Sequence, residues 1–319
     1  MIIQFFLVFI GFVCLIFGAN WLVDGASSLA KKYKVSDLVI GLTIVAFGTS
    51  APELVVNIVG AIEGYSDIVL GNIIGSNNFN LFLILGISGL VLPITVQSST
   101  AWKEIPISLF VAVVLLFFAN DFGFSGDGYI SRIDGFIMLF LFLMFLYYVF
   151  RQMKNDKTTN DNTETVEKSN YKIWGLIIFG LTGLIIGGQL VVINSVEVAE
   201  SLGVSEKIIG LTIVAAGTSL PELVTSVVAA TKKNSDIAIG NVIGSNIFNI
   251  LLILSVSSLI NPIEYNLKFN TDLFILIGGT LFLLVFMISG KRKKLDRWEA
   301  GLLLGFYICY TVFLIMKEL

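Results

Sequence analysis

The sequence predicts an all-α polytopic membrane protein, with ten transmembrane helices arranged as two inverted repeats of five helices each. Hydrophobic residues make up 56% of the 319 residues, and charged residues only 13%, against roughly 25% in soluble domains. A single soluble core cannot bury so much apolar surface. Ten apolar runs and one long internal repeat then define the arrangement of the helices within the membrane.

The apolar runs are about 20 residues long, which is the length needed to span a bilayer. They lie at residues 2–23, 37–62, 66–93, 103–119, 130–150, 171–195, 205–230, 235–261, 270–289 and 297–316. The first run has no basic segment before it and no cleavage site after it, so it is interpreted as a membrane helix. Residues 1–150 and 171–319 form the two repeats, and the polar stretch 151–170 is predicted to be a cytoplasmic linker loop.

The basic residues favour one orientation of the chain. With the N-terminus outside, 16 of the 20 Lys and Arg residues fall on the inner side of the membrane. Because basic residues concentrate in cytoplasmic loops, both termini are predicted to lie outside a cell (inner) membrane. The net charge of −3 and the dispersed basic residues exclude a nucleic-acid-binding surface. Neither a cofactor nor an obligate protein partner is expected.

An internal repeat organises the two halves. Residues 41–85 align without a gap on residues 210–254, with 29 identities at a constant offset of 169. Both segments contain Gly-Thr-Ser-x-Pro-Glu and Gly-Ser-Asn, which are not generic lipid-facing sequences. Because each half has an odd number of spans, equivalent segments enter the membrane from opposite sides. Such inverted repeats are typical of secondary transporters, which bind substrate near the midplane between the halves.

Glu53 and Glu222 are the strongest candidates for a functional site. Each lies in the middle of a span, where insertion of a carboxylate costs about 2.5–3.5 kcal/mol. Pro52 and Pro221 precede them and lack an N–H group, so each proline is expected to break its helix and free a carbonyl oxygen nearby. A structural glutamate is the alternative, but recurrence at the same place in both repeats favours binding.

A polar stripe follows in the next span of each repeat. Its members are four residues apart, which places them on one face of a helix. They are Asn72, Ser76 and Asn80 in the first repeat, and Asn241, Ser245 and Asn249 in the second. Amide and hydroxyl oxygens are ligands of hard cations such as Na⁺ and Ca²⁺. Interhelical hydrogen bonding is the alternative, and for Asn72 and Asn241 the two interpretations are balanced.

The paired blocks GTSAPE/GTSLPE and GNIIGSNNFN/GNVIGSNIFN closely resemble the α-repeats of the sodium/calcium exchangers, in the calcium/cation antiporter superfamily. The ten-span layout extends the likeness to nearly the whole chain. The resemblance implies an electrogenic antiporter that exchanges Na⁺ for Ca²⁺ by alternating access. It also implies a set of metal-binding positions. These are Glu53 and Glu222 at the centre, Thr49, Thr218, Ser76 and Ser245 as hydroxyl ligands, Ala46 and Ala215 as backbone-carbonyl ligands, and Asn80 and Asn249 beside the middle site.

The resemblance leaves the coupling ion open between two branches. Asn249 stands where potassium-carrying relatives have Asp, so this position resembles the potassium-independent type. A Ca²⁺/H⁺ antiporter that uses the same glutamates as proton carriers is the alternative. Proton-coupled exchangers typically have a His near the site, and this chain has none, although a carboxylate can carry the proton. A channel is disfavoured by the paired midplane sites, and an enzyme by the lack of a nucleophile–base pair.

A mechanism follows from the charges at the site. One divalent ion neutralises both Glu53 and Glu222, so the site is expected to hold either one Ca²⁺ or several Na⁺, never both sets together. Alternating exposure of this shared site to the two sides of the membrane then couples the two gradients. The long first span of each repeat (Leu7–Trp21 and 174–190) is poor in charge and is expected to be the moving gate.

Overall fold

The computed structural model describes residues 2–95, 97, 100–121, 128–155, 169–202, 215–289 and 294–318. The helices of the first repeat are α1 (Ile2–Tyr33), α2 (Asp37–Thr49), α3 (Ala51–Ile62), α4 (Ser66–Val91), α5 (Ile105–Ala119) and α6 (Arg132–Asn155). Those of the second are α7 (Asn170–Ser201), α8 (Ala215–Gly217), α9 (Leu220–Thr231), α10 (Ser235–Ile260), α11 (Asn270–Ser289) and α12 (Arg297–Glu318).

The helices are long and apolar enough for a polytopic membrane protein. Within the described ranges, seven helices meet the length and composition needed to cross a bilayer, and the bent pair α2–α3 raises the number to eight. The expectation of a helical multi-pass membrane fold is therefore confirmed. The predicted span 205–230 includes residues 203–214 in part, and these lie outside the described residues.

Helices α1 and α7 are longer than the spans predicted for them. Each has 32 residues, and they continue to Tyr33 and Ser201, respectively. In the additional turns of α1, Leu29 and Ala30 are buried, although Asp24 interrupts the apolar run before them. A scan for apolar runs stops at such a charge and so misses an extension that is apolar on one side only. Helix α6 likewise continues to Asn155, into the stretch predicted to be linker.

Helices α1 and α7 pack against each other as an antiparallel pair. Gly11 of α1 contacts the backbone near Gly187 of α7, and Gly18 contacts the backbone near Gly180. A Cβ atom at Gly18 would lie only 2.8 Å from the Gly180 carbonyl oxygen. In a membrane, small residues allow helix backbones to approach this closely and to gain packing energy. The two helices therefore form one tightly packed unit, and the apolar cluster to which they contribute also includes residues of α2, α9 and α10.

Helices α4 and α10 form the centre of the molecule. In the most apolar 18-residue window of α10, 94% of the residues are buried, and in that of α4, 72%. Both helices widen into a π-helical segment, at Phe79–Ile84 in α4 and Asn249–Leu254 in α10. Such segments are rare in proteins, and those that do occur are often at functional sites. They occur here at the last positions of the two polar stripes.

The break predicted at each proline is present. Helices α2 and α3 meet at Ser50 with a bend of 48°, and Thr218 and Ser219 separate α8 from α9. Pro52 and Pro221 lie in the first turns of α3 and α9, where an N–H group would have no partner within the helix. Each proline therefore starts a new helix instead of interrupting a continuous one.

Two short antiparallel sheets connect the repeats. Strand β1 (Ile94–Thr95) pairs with β4 (Lys294–Leu295), and β2 (Gly128–Ile130) pairs with β3 (Ile263–Tyr265). Strand β1 follows α4, and β3 follows α10, 169 positions later in the chain. Each of these equivalent strands pairs with a strand from the other half. The two repeats are thus tied together twice.

Replacement of Gly180 by alanine tests the close packing of α1 and α7. A Cβ at this position would lie 2.6 Å from the backbone nitrogen of Leu22, so we expect Gly180→Ala to cost about 1–3 kcal/mol through overpacking. The measurement is the thermal unfolding midpoint of the purified protein. Gly175→Ala in the same helix is the control, because a Cβ there would meet nothing within 4 Å. Equal midpoints for the two variants would contradict the packing described.

Candidate cation-binding site

The two candidate glutamates are placed at helix N-termini. Glu53 lies in the first turn of α3 and Glu222 in the first turn of α9, and each is 1% exposed. The first turn of a helix has free N–H groups and the positive end of the helix dipole, both of which stabilise a carboxylate. The helix breaks at Ser50 and Ser219 therefore position each charge in the middle of the protein, where none of the described Lys and Arg residues forms an ion pair with it.

Each glutamate accepts a hydrogen bond from the other repeat. Ser50 Oγ donates to Glu222 Oε1 over 2.9 Å, and Ser219 Oγ donates to Glu53 Oε1 over 3.0 Å. These two contacts are equivalent under the repeat offset of 169. Contacts that are reciprocal in this way are characteristic of a two-fold arrangement. The two glutamates consequently belong to one site, which is complete only when both repeats are present.

The serines of the polar stripes extend this arrangement. Ser245 Oγ lies 3.0 Å from Ser50 Oγ, and Ser76 Oγ lies 3.1 Å from Ser219 Oγ. Because Ser50 has a single hydroxyl hydrogen, which it donates to Glu222, the hydrogen between the first two serines comes from Ser245. Both predicted stripe serines are thus brought next to the glutamate site.

The two asparagines at the start of each stripe bond to the threonines of the opposite repeat. Thr49 Oγ1 donates to Asn241 Oδ1 over 3.0 Å, and Asn72 Nδ2 donates to Thr218 Oγ1 over 3.2 Å. For Asn72 and Asn241 the structure therefore supports the interpretation as interhelical hydrogen bonds. The predicted ligands Thr49 and Thr218 lie beside the glutamates. In these bonds, however, the Thr49 hydroxyl is a donor and the Thr218 hydroxyl is an acceptor.

A set of four asparagines closes the centre between α4 and α10. Asn80 Nδ2 donates to Asn246 Oδ1 over 3.1 Å, and Asn249 Nδ2 donates to Asn77 Oδ1 over 2.9 Å. Asn77 and Asn246 also donate to each other's backbone carbonyl, both over 3.3 Å. The side-chain nitrogens of Asn80 and Asn249 therefore donate hydrogen bonds within the protein. The side-chain oxygens of these two residues take no part in those bonds.

Among the buried oxygens of the described residues that have no hydrogen-bond donor, four recur at equivalent positions of the two repeats. They are the Oε2 atoms of Glu53 and Glu222 and the Oδ1 atoms of Asn80 and Asn249. A buried acceptor without a donor costs about 1–3 kcal/mol, and more if it is charged. The four oxygens also form two pairs related by the repeat. Carboxylate and amide oxygens are the donor types that bind Na⁺ and Ca²⁺, so a cation fits this set.

The backbone ligands implied by the resemblance are the carbonyl oxygens of Ala46 and Ala215. The Ala46 carbonyl accepts from Ser50 N over 3.0 Å, so one of its lone pairs is used within the helix. Ala215 is the first residue of α8. In the ranges that the structure covers, no group of three or more His, Cys, Asp or Glu residues could hold a metal ion. A cation at this site would therefore be bound by two carboxylates and by neutral oxygens.

Ser50 and Ser219 are not among the site residues predicted from the sequence, although both donate the cross-repeat bonds to the glutamates. A signal for them existed, because both belong to the repeated Gly-Thr-Ser motif. The sequence alone could not show that the serine of each motif, and not only the threonine, points at the opposite carboxylate. Asn77 and Asn246 also recur, and only the packing of α4 against α10 shows what they bond.

Comparison with known proteins identifies the family. The sequence profile described as "Sodium/calcium exchanger protein" matches residues 3–151 and 172–316. The sodium/calcium exchanger MaX1 of Methanosarcina acetivorans is 34% identical over 348 residues, which cover 98% of each chain. The inner membrane protein YrbG of Escherichia coli is 32% identical over 319 residues, covering 97% of this chain and 95% of YrbG. A solved structure of the sodium-calcium exchanger NCX_Mj has a TM-score of 0.83 with 33% identity and covers 97% of both chains. The chain therefore belongs to the sodium/calcium exchanger protein family.

Proposed function

We propose that this protein is a secondary active antiporter that exchanges Na⁺ for Ca²⁺ across a cell membrane. The observation that carries the proposal is the set of four unpartnered oxygens on Glu53, Glu222, Asn80 and Asn249, buried between the two repeats. Two of them belong to carboxylates, so a bound cation would balance negative charge that hydrogen bonds leave uncompensated. The names of MaX1 and NCX_Mj support Na⁺ and Ca²⁺ as the cations.

Competition for a single site couples the two ions. One Ca²⁺ or a small number of Na⁺ ions can balance the charges of Glu53 and Glu222, whereas both sets together would leave excess positive charge in a buried place. Exchange then needs only that the occupied site opens to one side of the membrane at a time. If more than two Na⁺ ions replace one Ca²⁺, each cycle moves net charge, which adds about 2.3 kcal/mol per 100 mV for each elementary charge.

The architecture that we propose for this transport has ten spans in two inverted repeats, with both termini outside. Three features support it. Equivalent helices α1 and α7 run antiparallel, and the contacts of Ser50 and Ser219 are reciprocal. In each of the two sheets, one strand comes from each half. Predicted positive charge on the cytoplasmic side gives the orientation. The tightly packed α1–α7 unit is the proposed moving gate.

Calcium uptake into proteoliposomes tests this function. We expect vesicles loaded with Na⁺ and diluted into Na⁺-free buffer to take up ⁴⁵Ca²⁺, and an inside-positive voltage to increase the rate, because net positive charge leaves with Na⁺. Vesicles loaded with Li⁺ are the control for the cation gradient. Uptake that ignores Na⁺ and follows a pH gradient would contradict the proposal and indicate the Ca²⁺/H⁺ alternative.

Removal of either carboxylate charge tests the site. We expect Glu53→Gln and Glu222→Gln each to reduce Na⁺-driven Ca²⁺ uptake by about 10-fold or more, because interactions with a charged group contribute about 1.5–3 kcal/mol. The measurement is the initial uptake rate per amount of reconstituted protein. Glu104→Gln is the matched control, since Glu104 is also fully buried but bonds to Tyr148 outside the site. Retained transport in either glutamate variant would refute the assignment.

A further inference from the structure

Asn57 distinguishes the two otherwise equivalent halves of the cation site. It lies one helical turn after Glu53 in α3 and is fully buried. The equivalent residue of α9, 169 positions later, is Ser226, which is also fully buried. The repeats are otherwise alike here, because Glu53 and Glu222, Asn72 and Asn241, and Thr49 and Thr218 occupy matching positions. At the position that bonds to Asn72 or Asn241, the two halves therefore differ by an amide in one and a hydroxyl in the other.

The orientation of the Asn57 amide is fixed by a backbone carbonyl. Its Nδ2 donates to Glu53 O over 2.7 Å and to Asn72 Oδ1 over 2.6 Å. A backbone carbonyl cannot donate, so a rotated amide would place Oδ1 of Asn57 against an acceptor. As a consequence Asn72 must turn its own oxygen towards Asn57 and its nitrogen towards Thr218, to which it donates over 3.2 Å.

The second repeat has the opposite polarity. Here the stripe residue Asn241 itself donates to the backbone, with Nδ2 lying 3.3 Å from Glu222 O and 3.0 Å from Ser226 Oγ. Its oxygen therefore faces Thr49, which donates its hydroxyl hydrogen to Asn241 over 3.0 Å. The Thr49 oxygen is thus left with its lone pairs, whereas the Thr218 oxygen already accepts one hydrogen bond.

The two threonines consequently differ as cation ligands. The oxygen of Thr218 accepts a hydrogen bond from Asn72, so one of its two lone pairs is already used. The hydroxyl of Thr49 instead donates its hydrogen to Asn241, and among the described residues no hydrogen bond is donated to its oxygen. Both lone pairs of the Thr49 oxygen therefore stay available to a cation.

We propose that Asn57 is a positioning residue that makes the two sides of the cation site unequal, by turning Asn72 so that the Thr218 hydroxyl is a poorer cation ligand than the Thr49 hydroxyl. This inference rests on the proposed exchange function. The Oδ1 atom of Asn57 is itself buried and has no hydrogen-bond donor among the described residues. The effect is mainly on the affinity for Na⁺, because the binding of a monovalent ion depends more on neutral oxygens than the binding of Ca²⁺ does. The two carboxylates hold Ca²⁺.

Exchange of the two residues between the repeats tests the proposal. In Asn57→Ser, Asn72 is free to turn its nitrogen to Glu53 O, as Asn241 does in the second repeat, so Thr218 regains its lone pairs. We expect the Na⁺ concentration that displaces half of the bound ⁴⁵Ca²⁺ from the purified protein to fall by about 3- to 10-fold, the range for one neutral hydrogen bond. Ser226→Asn is expected to raise it, and the double variant Asn57→Ser/Ser226→Asn to return it close to the wild-type value.

A second pair of variants leaves position 57 unchanged. We expect Thr49→Val to weaken Na⁺ displacement several-fold more than Thr218→Val. The reason is that the Thr218 oxygen already accepts a hydrogen bond from Asn72, whereas the Thr49 hydroxyl donates its hydrogen to Asn241. Thermal unfolding midpoints serve as the folding control for all variants. Equal effects of the two threonine changes, or unchanged Na⁺ displacement in Asn57→Ser, would overturn the inference. Wild-type protein whose bound Ca²⁺ does not respond to Na⁺ at all would instead contradict the exchange function on which the inference rests.

Discussion

The structure depends on how two carboxylates are kept in the interior of a membrane protein whose described residues form no ion pair with them. Helix N-termini and serine hydroxyls stabilise one oxygen of Glu53 and one of Glu222, and the second oxygen of each stays without a donor. The protein therefore provides only part of the stabilisation that the two charges need. We infer that the bound cations supply the rest, which makes the site selective for positive charge and sensitive to how much of it arrives.

The same constraint explains why the two repeats are joined so closely. Because the donor for each glutamate comes from Ser50 or Ser219 of the opposite half, neither repeat can hold its own carboxylate alone. The asparagine contacts between α4 and α10 and the two shared sheets connect the halves at further points. The α1–α7 pair meets the rest of the protein through apolar contacts, such as that between Leu181 and Gly48. Helix α1 also forms polar contacts at one end, from Asp24 to Lys232 and from Ser27 to Asn234. Sliding of the proposed gate would therefore have to break these polar contacts.

Much of the fold and of the site was predictable, because the sequence repeats itself. Glu53, Ser76, Asn80 and their equivalents could be selected from one chain, since an identical residue at a constant offset marks a constraint common to both halves. The same comparison fails for Asn57, which differs from Ser226 and so gives no repeat signal. Its role depends on a chain of hydrogen bonds through Asn72, which only the packing of α3 against α4 shows. The ends of α1 were also missed, because a charge at Asp24 hides an extension that is buried on one side.

The most direct test of this account is the equilibrium binding of ⁴⁵Ca²⁺ to the purified protein as Na⁺ is raised. The account predicts that one Ca²⁺ binds per chain, that Na⁺ displaces it with a steep dependence on concentration, and that the variants Glu53→Gln and Glu222→Gln bind little Ca²⁺. Simultaneous binding of Ca²⁺ and Na⁺, with no displacement at any Na⁺ concentration, would contradict the single shared site.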